Sequence, residues 1–397
     1  MPRARIAIIG AGIMGCCTAL FLARAGYRVS LFDKASRPMS GASRWNEGKI
    51  HLGYLYSADP GGATAAKLMA GGLAFRPLIE EFLGQSIAPA ISLHDDSYLV
   101  HPESIVSAAQ MERYFSFLDD QLATVDASSY LTRTRRTTRL SPNEVRTFAS
   151  GAFSDGFRVP ERSVNTLWIA DRLERAVERN AGISFVPNFE VMDIATTAAQ
   201  TTWTIDSGAQ SSETFDFIVN CAWDGLLAID RMVGLEPEAT WSHRYRASLF
   251  IGTKEPVDFP SVVLAIGPFG DVKNYDGRHF YLSWYPAGLL AEGQDIRPPK
   301  VDLPDSPERI IEAVKSALLD RLPAVRAIFD SAERTLVGGG WVFARGQGSL
   351  SDPTSSLHRR DRFGIRSRGS YFSVDTGKYS TAPWLAHDLA QRIISQI

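Results

Sequence analysis

Thiols are nearly absent from this chain: of its 397 residues only Cys16, Cys17 and Cys221 are cysteine. Three thiols, two of them adjacent, build neither a disulfide framework nor a zinc-ligand spacing, so no metal site is expected and a reducing, cytoplasmic setting fits best. Cys16 and Cys17 are not a C-x-x-C redox pair, and on a helix they read as small buried hydrophobes. A dominant charge sign is missing too. The 42 basic side chains stand against 44 acidic ones, for a formal net charge of −2, which calls for no nucleic acid and no obligatory membrane surface. No run of about 18 apolar residues offers a transmembrane helix. Met1–Gly10 starts basic and turns apolar at Ile6–Ile9, yet no small-residue cleavage pattern follows, so it reads as a strand rather than a secretory leader. Internal repeats and low-complexity tracts are absent as well.

What is present is the makeup of an enzyme of two folded units, with 45% hydrophobic and 22% charged residues over a length suited to two domains. The opening carries most of the information. Arg5–Ile9 is a short apolar run, Ile13–Ala25 has the small and apolar residues of a helix packed on a sheet, and Gly26 stands where a C-terminal cap glycine would. A second run, Arg28–Asp33, completes a βαβ unit of about 30 residues and points to a doubly wound α/β sheet.

Between the first strand and first helix, Gly10, Gly12 and Gly15 form G-x-G-x-x-G. There the chain must turn tightly, approach a pyrophosphate closely and pack helix on sheet, while Ile13, Met14 and Gly15 open the helix whose free amides face the phosphates. Asp33 closes the second strand about 20 residues on, where a carboxylate reaches ribose hydroxyls. Strand, turn, helix, strand and acid in this order specify a dinucleotide, without choosing between FAD and NAD. No second fingerprint follows a strand elsewhere, and Gly338–Gly340 lacks the spacing. If the single site holds FAD, the electrons must therefore come from an organic substrate.

Downstream, the Gly- and Ser-rich loop Ser36–Gly53 is long enough to be functional, and Ala63–Phe82 reads as helix. Ile91–Val100 is strand-like, and Ser141-Pro142-Asn143-Glu144 is a capping box that should start a short helix. The four arginines within Leu131–Leu140 read as a solvated edge strand rather than an anion site. Ser163–Asn180 is expected as an amphipathic helix, then strands at Ile183–Phe185, Phe189–Ile194 and Phe215–Cys221. An antiparallel sheet follows over Tyr245–Tyr285, a helix at Pro307–Arg321 and a last helix at Trp384–Ile394.

Four blocks in this order carry a resemblance. They are the fingerprint; the loop Gly41-Ala42-Ser43 through Asn46-Glu47-Gly48-Lys49-Ile50-His51-Leu52-Gly53-Tyr54; the strand Val219-Asn220-Cys221-Ala222; and Gly377-Lys378-Tyr379-Ser380-Thr381-Ala382-Pro383. Spread from end to end, they carry a likeness over most of the chain, which resembles the D-amino-acid oxidase-like (DAO) family of FAD-dependent oxidoreductases, relatives of glycine oxidase, sarcosine oxidase and L-2-hydroxyglutarate dehydrogenase. The resemblance implies a discontinuous Rossmann-type FAD-binding domain (1–85, 150–225 and 335–397) and an inserted α+β substrate domain on an antiparallel sheet (86–149 and 226–334). It implies that Asp33 holds the adenosine ribose, that Lys34 and Val191 lie near the adenine, and that Ala42 and Ser43 approach the pyrophosphate or ribityl chain. The Gly377–Thr381 turn would meet the flavin's pyrimidine end. The family usually has glycine after the two small residues Cys221 and Ala222, and here stands Trp223. No cysteine or histidine occupies the family's flavin-linkage positions, so FAD is expected to be non-covalent.

Hydride transfer to flavin asks the protein for orientation and electrostatics. Arg345 aligns with a family arginine that grips a substrate carboxylate, and Lys378 matches a lysine of sarcosine oxidase-like members, so an anionic small molecule is expected. His51, in a loop similar to that of 2-hydroxyacid dehydrogenase relatives, is placed as a base. Tyr54, Tyr281 and Tyr285 are candidates for the pocket wall. The leading expectation is oxidation of a CH–NH bond beside an anionic group, with a 2-hydroxy acid as alternative and a non-catalytic dinucleotide module as the remaining class. The electron acceptor is oxygen or a quinone or carrier, with a dehydrogenase preferred because no lysine is clearly placed for oxygen activation.

Overall fold

In the computed structural model, residues 4–59, 61–153, 155–196, 202–209 and 213–397 are described; the first three residues of Met1–Gly10 lie outside them. The first strand, Arg5–Ile9, pairs in parallel with Arg28–Phe32 on one side and Phe217–Asn220 on the other. Both faces of this strand are buried. Ile6 and Ile8 join one apolar cluster, with Cys16, Cys17 and the C-terminal helix Ala382–Ile394, while Ala7 and Ile9 join another with Trp203 and Phe215. Two covered faces explain why the strand reads as an unbroken apolar run rather than an alternation. The sheet order is 364–368, 371–375, 217–220, 5–9, 28–32, 183–186. All pairs are parallel except the antiparallel edge Gly364–Arg368.

A second sheet of nine strands contains 241–253, 262–265, 270–274, 279–284, 289–293 and 332–345, together with 97–100, 156–158 and 138–139. It is antiparallel apart from the pair 97–100 with 262–265. One face packs on the helix Glu308–Arg321, where Ile310, Val314 and Leu318 meet Leu249, Ile251 and Leu282. The other face looks toward the first sheet and roofs the cavity described below.

Differences from the sequence reading have local causes. Of Phe189–Ile194 only the last two residues are strand, in Asp193–Thr196. The amides of Asn188 and Phe189 bond instead to the carbonyls of Ala35 and Asp33, at 3.1 and 2.8 Å, which folds the segment back over the end of the second strand. Only Ser97–Val100 of Ile91–Val100 is strand. The helix expected from Ser163 starts at Thr166, because Asn165 caps it by accepting from the amides of Leu167 and Trp168. The capping box at Ser141 forms with Glu144, and Thr138–Arg139 is an exposed outer strand. Gly156–Arg158 and Ala332–Arg345 both pair in the second sheet. No helix among the described residues is long and apolar enough to cross a membrane.

Candidate active site

A cavity of about 700 Å³ runs from the C-terminal end of the first strand to the inner face of the second sheet. Gly10, Gly12, Ile13 and Met14 line its nucleotide end. Gly10 has φ +97°, and a Cβ there would sit 2.6 Å from the carbonyl oxygen of Cys221; one on Gly15 would sit 1.8 Å from that of Gly10. The glycines thus let the turn close and the helix touch the sheet, and Gly15 serves packing, not the cavity wall. Ser43 Oγ accepts from the Ile13 amide at 2.9 Å, tying the long loop to the helix start. Asp33 lines the cavity while accepting from the amides of Ala11 and Ala35 at 2.6 and 2.7 Å. Burial raises its carboxyl above the usual range against these bonds.

The remaining wall follows the long loop and two distant turns. Gly41, Ala42, Ser43, Asn46 and Glu47 line it, as do Lys34, Val191, Cys221, Ala222, Trp223, Gly377, Lys378 and Tyr379. Gly48 does not: its φ of +65° brings it against the Val164 carbonyl. Ser380 and Thr381 lie behind the wall, fully buried, with Thr381 Oγ1 donating to the Lys378 carbonyl at 2.7 Å and so shaping the turn. Lys34 pairs with Asp224 at 2.8 Å. Trp223, at the family's glycine position, has φ +48°, the left-handed region that costs an ordinary residue roughly 1–2 kcal/mol. Its indole Nε1 donates to the Trp341 carbonyl at 2.7 Å and its ring meets Phe343 edge-on, contacts that offset the strain.

His51 enters from the loop after the two-residue strand Lys49–Ile50 and is 1% exposed, with no partner for Nδ1. Burial first, then Lys378, Lys49, Lys273 and Arg360, hold its imidazole well below the usual range, hence neutral. Two features fix this loop. Gly72 of the helix Ala63–Leu83 lets that helix approach the His51 carbonyl, where a Cβ would be 2.2 Å away. Fully buried Glu161 accepts the three following amides, of Leu52, Gly53 and Tyr54, at 2.6, 3.0 and 3.4 Å. Glu161 also accepts from the Tyr98 hydroxyl at 3.0 Å, next to which Lys49 Nζ donates to Asp96 at 2.6 Å and Lys273 Nζ donates to Asp96 at 2.8 Å. Burial alone would push the Asp96 carboxyl up, but Lys273 and Lys49 bring it below the usual range.

Two expected catalytic residues stand elsewhere. Tyr54 is fully buried, gives its hydroxyl to Asp119 at 2.6 Å and does not line the cavity. The turn Tyr54–Tyr56 points its first tyrosine into the core and its third, Tyr56, to the cavity, where the Tyr56 hydroxyl has no protein partner. Arg345 is also off the wall: its Nε is 3.1 Å from Asp375, whose other oxygen accepts from the Gly377 amide at 2.9 Å. The pair braces the Gly377 turn. Tyr285 lines the cavity, whereas Tyr281 bonds Ser248 beyond it.

The charged lining that sequence reasoning missed comes from the second sheet and a C-terminal loop. Arg244 and Arg246, two apart on the strand Trp241–Thr253, and Arg360 reach the same space. Arg244 donates to the Tyr285 hydroxyl at 3.0 Å, the Arg246 guanidinium lies 4.4 Å from the centre of the Tyr285 ring, and Arg360 donates to the Phe343 carbonyl at 3.1 Å. Asp271 and Glu47 also line the cavity. Burial raises the Asp271 carboxyl, Lys273 opposing that rise and Glu47 adding to it; burial also acts on Glu47, but Lys378, Arg246 and Lys273 hold it below the usual range. The i, i+2 arginines were a readable signal, since alternate residues of a strand share a face; Arg360 offered none.

A turn in which a Cβ on Gly10 or Gly15 would clash, a helix starting at Ile13 on the cavity wall and an acid at the second strand's end fit a dinucleotide diphosphate. The family profile described as "FAD dependent oxidoreductase" (DAO) matches residues 5–392. The chain belongs to the DAO family. DAO enzymes are FAD-dependent oxidoreductases, so the cofactor is FAD rather than NAD and the non-catalytic module is set aside. Among curated relatives, the FAD-dependent monooxygenase FPY4 of Fusarium mangiferae is 23% identical over 99% of this chain and 90% of its own. Among solved structures, glycine oxidase from Geobacillus kaustophilus matches with TM-score 0.70 at 16% identity, covering 98% of this chain and 95% of that one. Iminodiacetate oxidase from Chelativorans sp. BNC1 gives the same four values. These likenesses establish the DAO fold for both sheets.

Proposed function

We propose that this DAO enzyme dehydrogenates a CH–NH bond of a small amino-acid-like amine that carries an anionic group. The observation that carries this reading is the coexistence, in one cavity, of the carboxylates Glu47 and Asp271 with the arginines Arg244, Arg246 and Arg360. Buried charges require opposite partners. An ammonium and a carboxylate on one molecule meet both sets, whereas a 2-hydroxy acid brings no cation of its own and leaves Glu47 and Asp271 to the protein's lysines and Arg246 alone.

FAD supplies the hydride acceptor when bound. Gly10, Gly12 and the Met14 amide would face its pyrophosphate with Ala42 and Ser43; Asp33 would hold the ribose, with Lys34 and Val191 beside the adenine. Gly377, Lys378 and Tyr379 would meet the ring. Arg244, Arg360 and the Tyr56 hydroxyl hold the substrate's carboxylate by charge-assisted hydrogen bonds. Asp271 takes the ammonium proton, a task suited to a carboxyl raised by burial. Neutral His51 presents Nδ1 to the substrate without competing for that proton. The CH–NH bond loses its hydride and the product leaves as an imine. The buried thiol of Cys221, pushed up by burial, has little thiolate to attack a flavin, which supports non-covalent attachment.

Anaerobic mixing of the FAD-loaded protein with amino acids, N-methyl amino acids and 2-hydroxy acids tests the proposal, since a substrate bleaches the flavin band. Bleaching by amines is the expected result. Bleaching by hydroxy acids alone overturns it and returns His51 to the part of hydroxyl base.

A further inference from the structure

Charge balance around the cavity says more about the substrate than that it is an anionic amine. At the nucleotide end the lining charges are matched locally: Lys34 faces Asp224 at 2.8 Å and Arg297 faces Glu190 at 4.0 Å. Lys49 is taken by Asp96, and behind the wall Arg345 is taken by Asp375. At the other end the balance fails. Arg244, Arg246, Arg360 and Lys378 share the lining with only Glu47 and Asp271. Among the described residues none of those four cations makes an ion pair. Lys378 belongs to the turn that would face the flavin ring, which leaves three arginines for the substrate.

The arginines are built in rather than solvated. Arg244 is 5% and Arg360 9% exposed, and Nε of both Arg244 and Arg246 is buried without a partner. All three gather near Tyr285: Arg244 on its hydroxyl, Arg246 over its face, and Arg360 close enough to be affected electrostatically by both Arg244 and Tyr285. Like charges crowded out of water are costly until an anion arrives. A single carboxylate, held two-pronged by one guanidinium with help from a second, leaves the third unmatched.

We propose that the substrate carries a second anionic group in addition to the carboxylate of an ordinary amino acid, as in a secondary amine or amino acid bearing two carboxylates. One carboxylate sits between Arg244, Arg360 and the Tyr56 hydroxyl, the other against Arg246, and the ammonium faces Glu47 and Asp271. The inference rests on the amine reading for the bond that is oxidised; the number of anions rests on the cavity charges.

Two measurements on the FAD-loaded full-length enzyme separate these claims. In the first, flavin absorbance and thermal melting are followed while non-oxidisable acids are titrated in at constant ionic strength: succinate and glutarate against propionate and butyrate. The dicarboxylates should bind about ten-fold tighter or more, the gain from one further charge-assisted pair, and Arg246→Gln should shrink that ratio. Equal affinities overturn the inference, and the unmodified enzyme decides the point even if the variant fails to fold. In the second, anaerobic flavin reduction by iminodiacetate and N-methylaspartate is compared with that by N-methylglycine and glycine. Tighter and faster reaction of the two-carboxylate amines supports the proposal. Preference for the one-carboxylate amines overturns it while leaving amine oxidation intact. Tight dicarboxylate binding with no reduction by any amine sinks the amine reading and keeps the two-anion pocket.

Discussion

Replacing Glu161 by Gln tests whether the base of the active-site loop is ionic. Glu161 is fully buried; one oxygen accepts the Leu52, Gly53 and Tyr54 amides, and the other accepts the Tyr98 hydroxyl and lies 3.5 Å from Lys49 Nζ. Glutamine keeps a neutral oxygen for the amides. Hydrogen bonds to a charged acceptor are worth roughly 1.5–3 kcal/mol and neutral ones about 1, so the two shorter amide bonds lose about 2 kcal/mol together. Its amide NH₂ then faces Lys49, leaving Lys49 and Lys273 to share Asp96. Removing one partner of a buried ion pair costs about 3–5 kcal/mol, and about half of that applies because Lys49 retains Asp96. The expected destabilisation is therefore about 4 kcal/mol, read as a lower urea midpoint at unchanged slope. Tyr98→Phe, which removes the bond to Glu161 and the one its hydroxyl accepts from Lys49 Nζ at 2.9 Å, should cost about 3 kcal/mol, two charge-assisted bonds at the low end of their range. Flavin reduction should slow in Glu161→Gln because His51 precedes the freed amides. A loss in Glu161→Gln below about 1 kcal/mol, the worth of one neutral hydrogen bond, would refute the ionic account.

Gly15→Ala should yield protein that retains no flavin after gel filtration, because the added carbon would stand 1.8 Å from the Gly10 carbonyl; a yellow variant argues against the cradle. Arg345→Met should weaken flavin retention and cost about 3–5 kcal/mol by stranding the Asp375 carboxylate; a change in substrate affinity alone would restore Arg345 to the substrate. His51 is held neutral in the fold, so the unfolded chain takes up its proton first as pH drops. Its contribution to stability is complete above the ordinary histidine value near 6.5 and is lost below it, by about 1.4 kcal/mol per pH unit. His51→Gln should flatten the fall in denaturation midpoint between pH 7 and 5, and identical slopes would contradict this. Acid precipitation should release all flavin into the supernatant, and a yellow pellet would reveal a covalent bond.

The nucleotide end was legible because its constraints are local and steric. Gly10, Gly12 and Gly15 sit within one turn, and Asp33 lies one strand away, so spacing alone places them. The apolar run of the first strand and the Ser141 capping box were readable for the same reason. The substrate end was not, since its charges come from a distant strand and from Arg360 in a loop, and only the pairing of Trp241–Thr253 with Ala332–Arg345 brings them to the same roof. Tyr54 and Arg345 misled because each lies next to the wall in sequence but faces a carboxylate, Asp119 or Asp375, whose proximity no spacing announces. Trp223 is the opposite case: sequence marked it as an oddity, and the backbone there is of the kind glycine ordinarily supplies.

The buried quartet of Lys49, Asp96, Glu161 and Lys273 ties the strand Lys49–Ile50 and the segment before Arg162 to the second sheet. Any one of them, altered alone, leaves the charges of the rest out of balance where water cannot reach. These four positions should therefore change as a block: a homologue that abandons one should have replaced all of them with neutral side chains, and the seating of its active-site loop on the sheet should then be set by shape instead of charge.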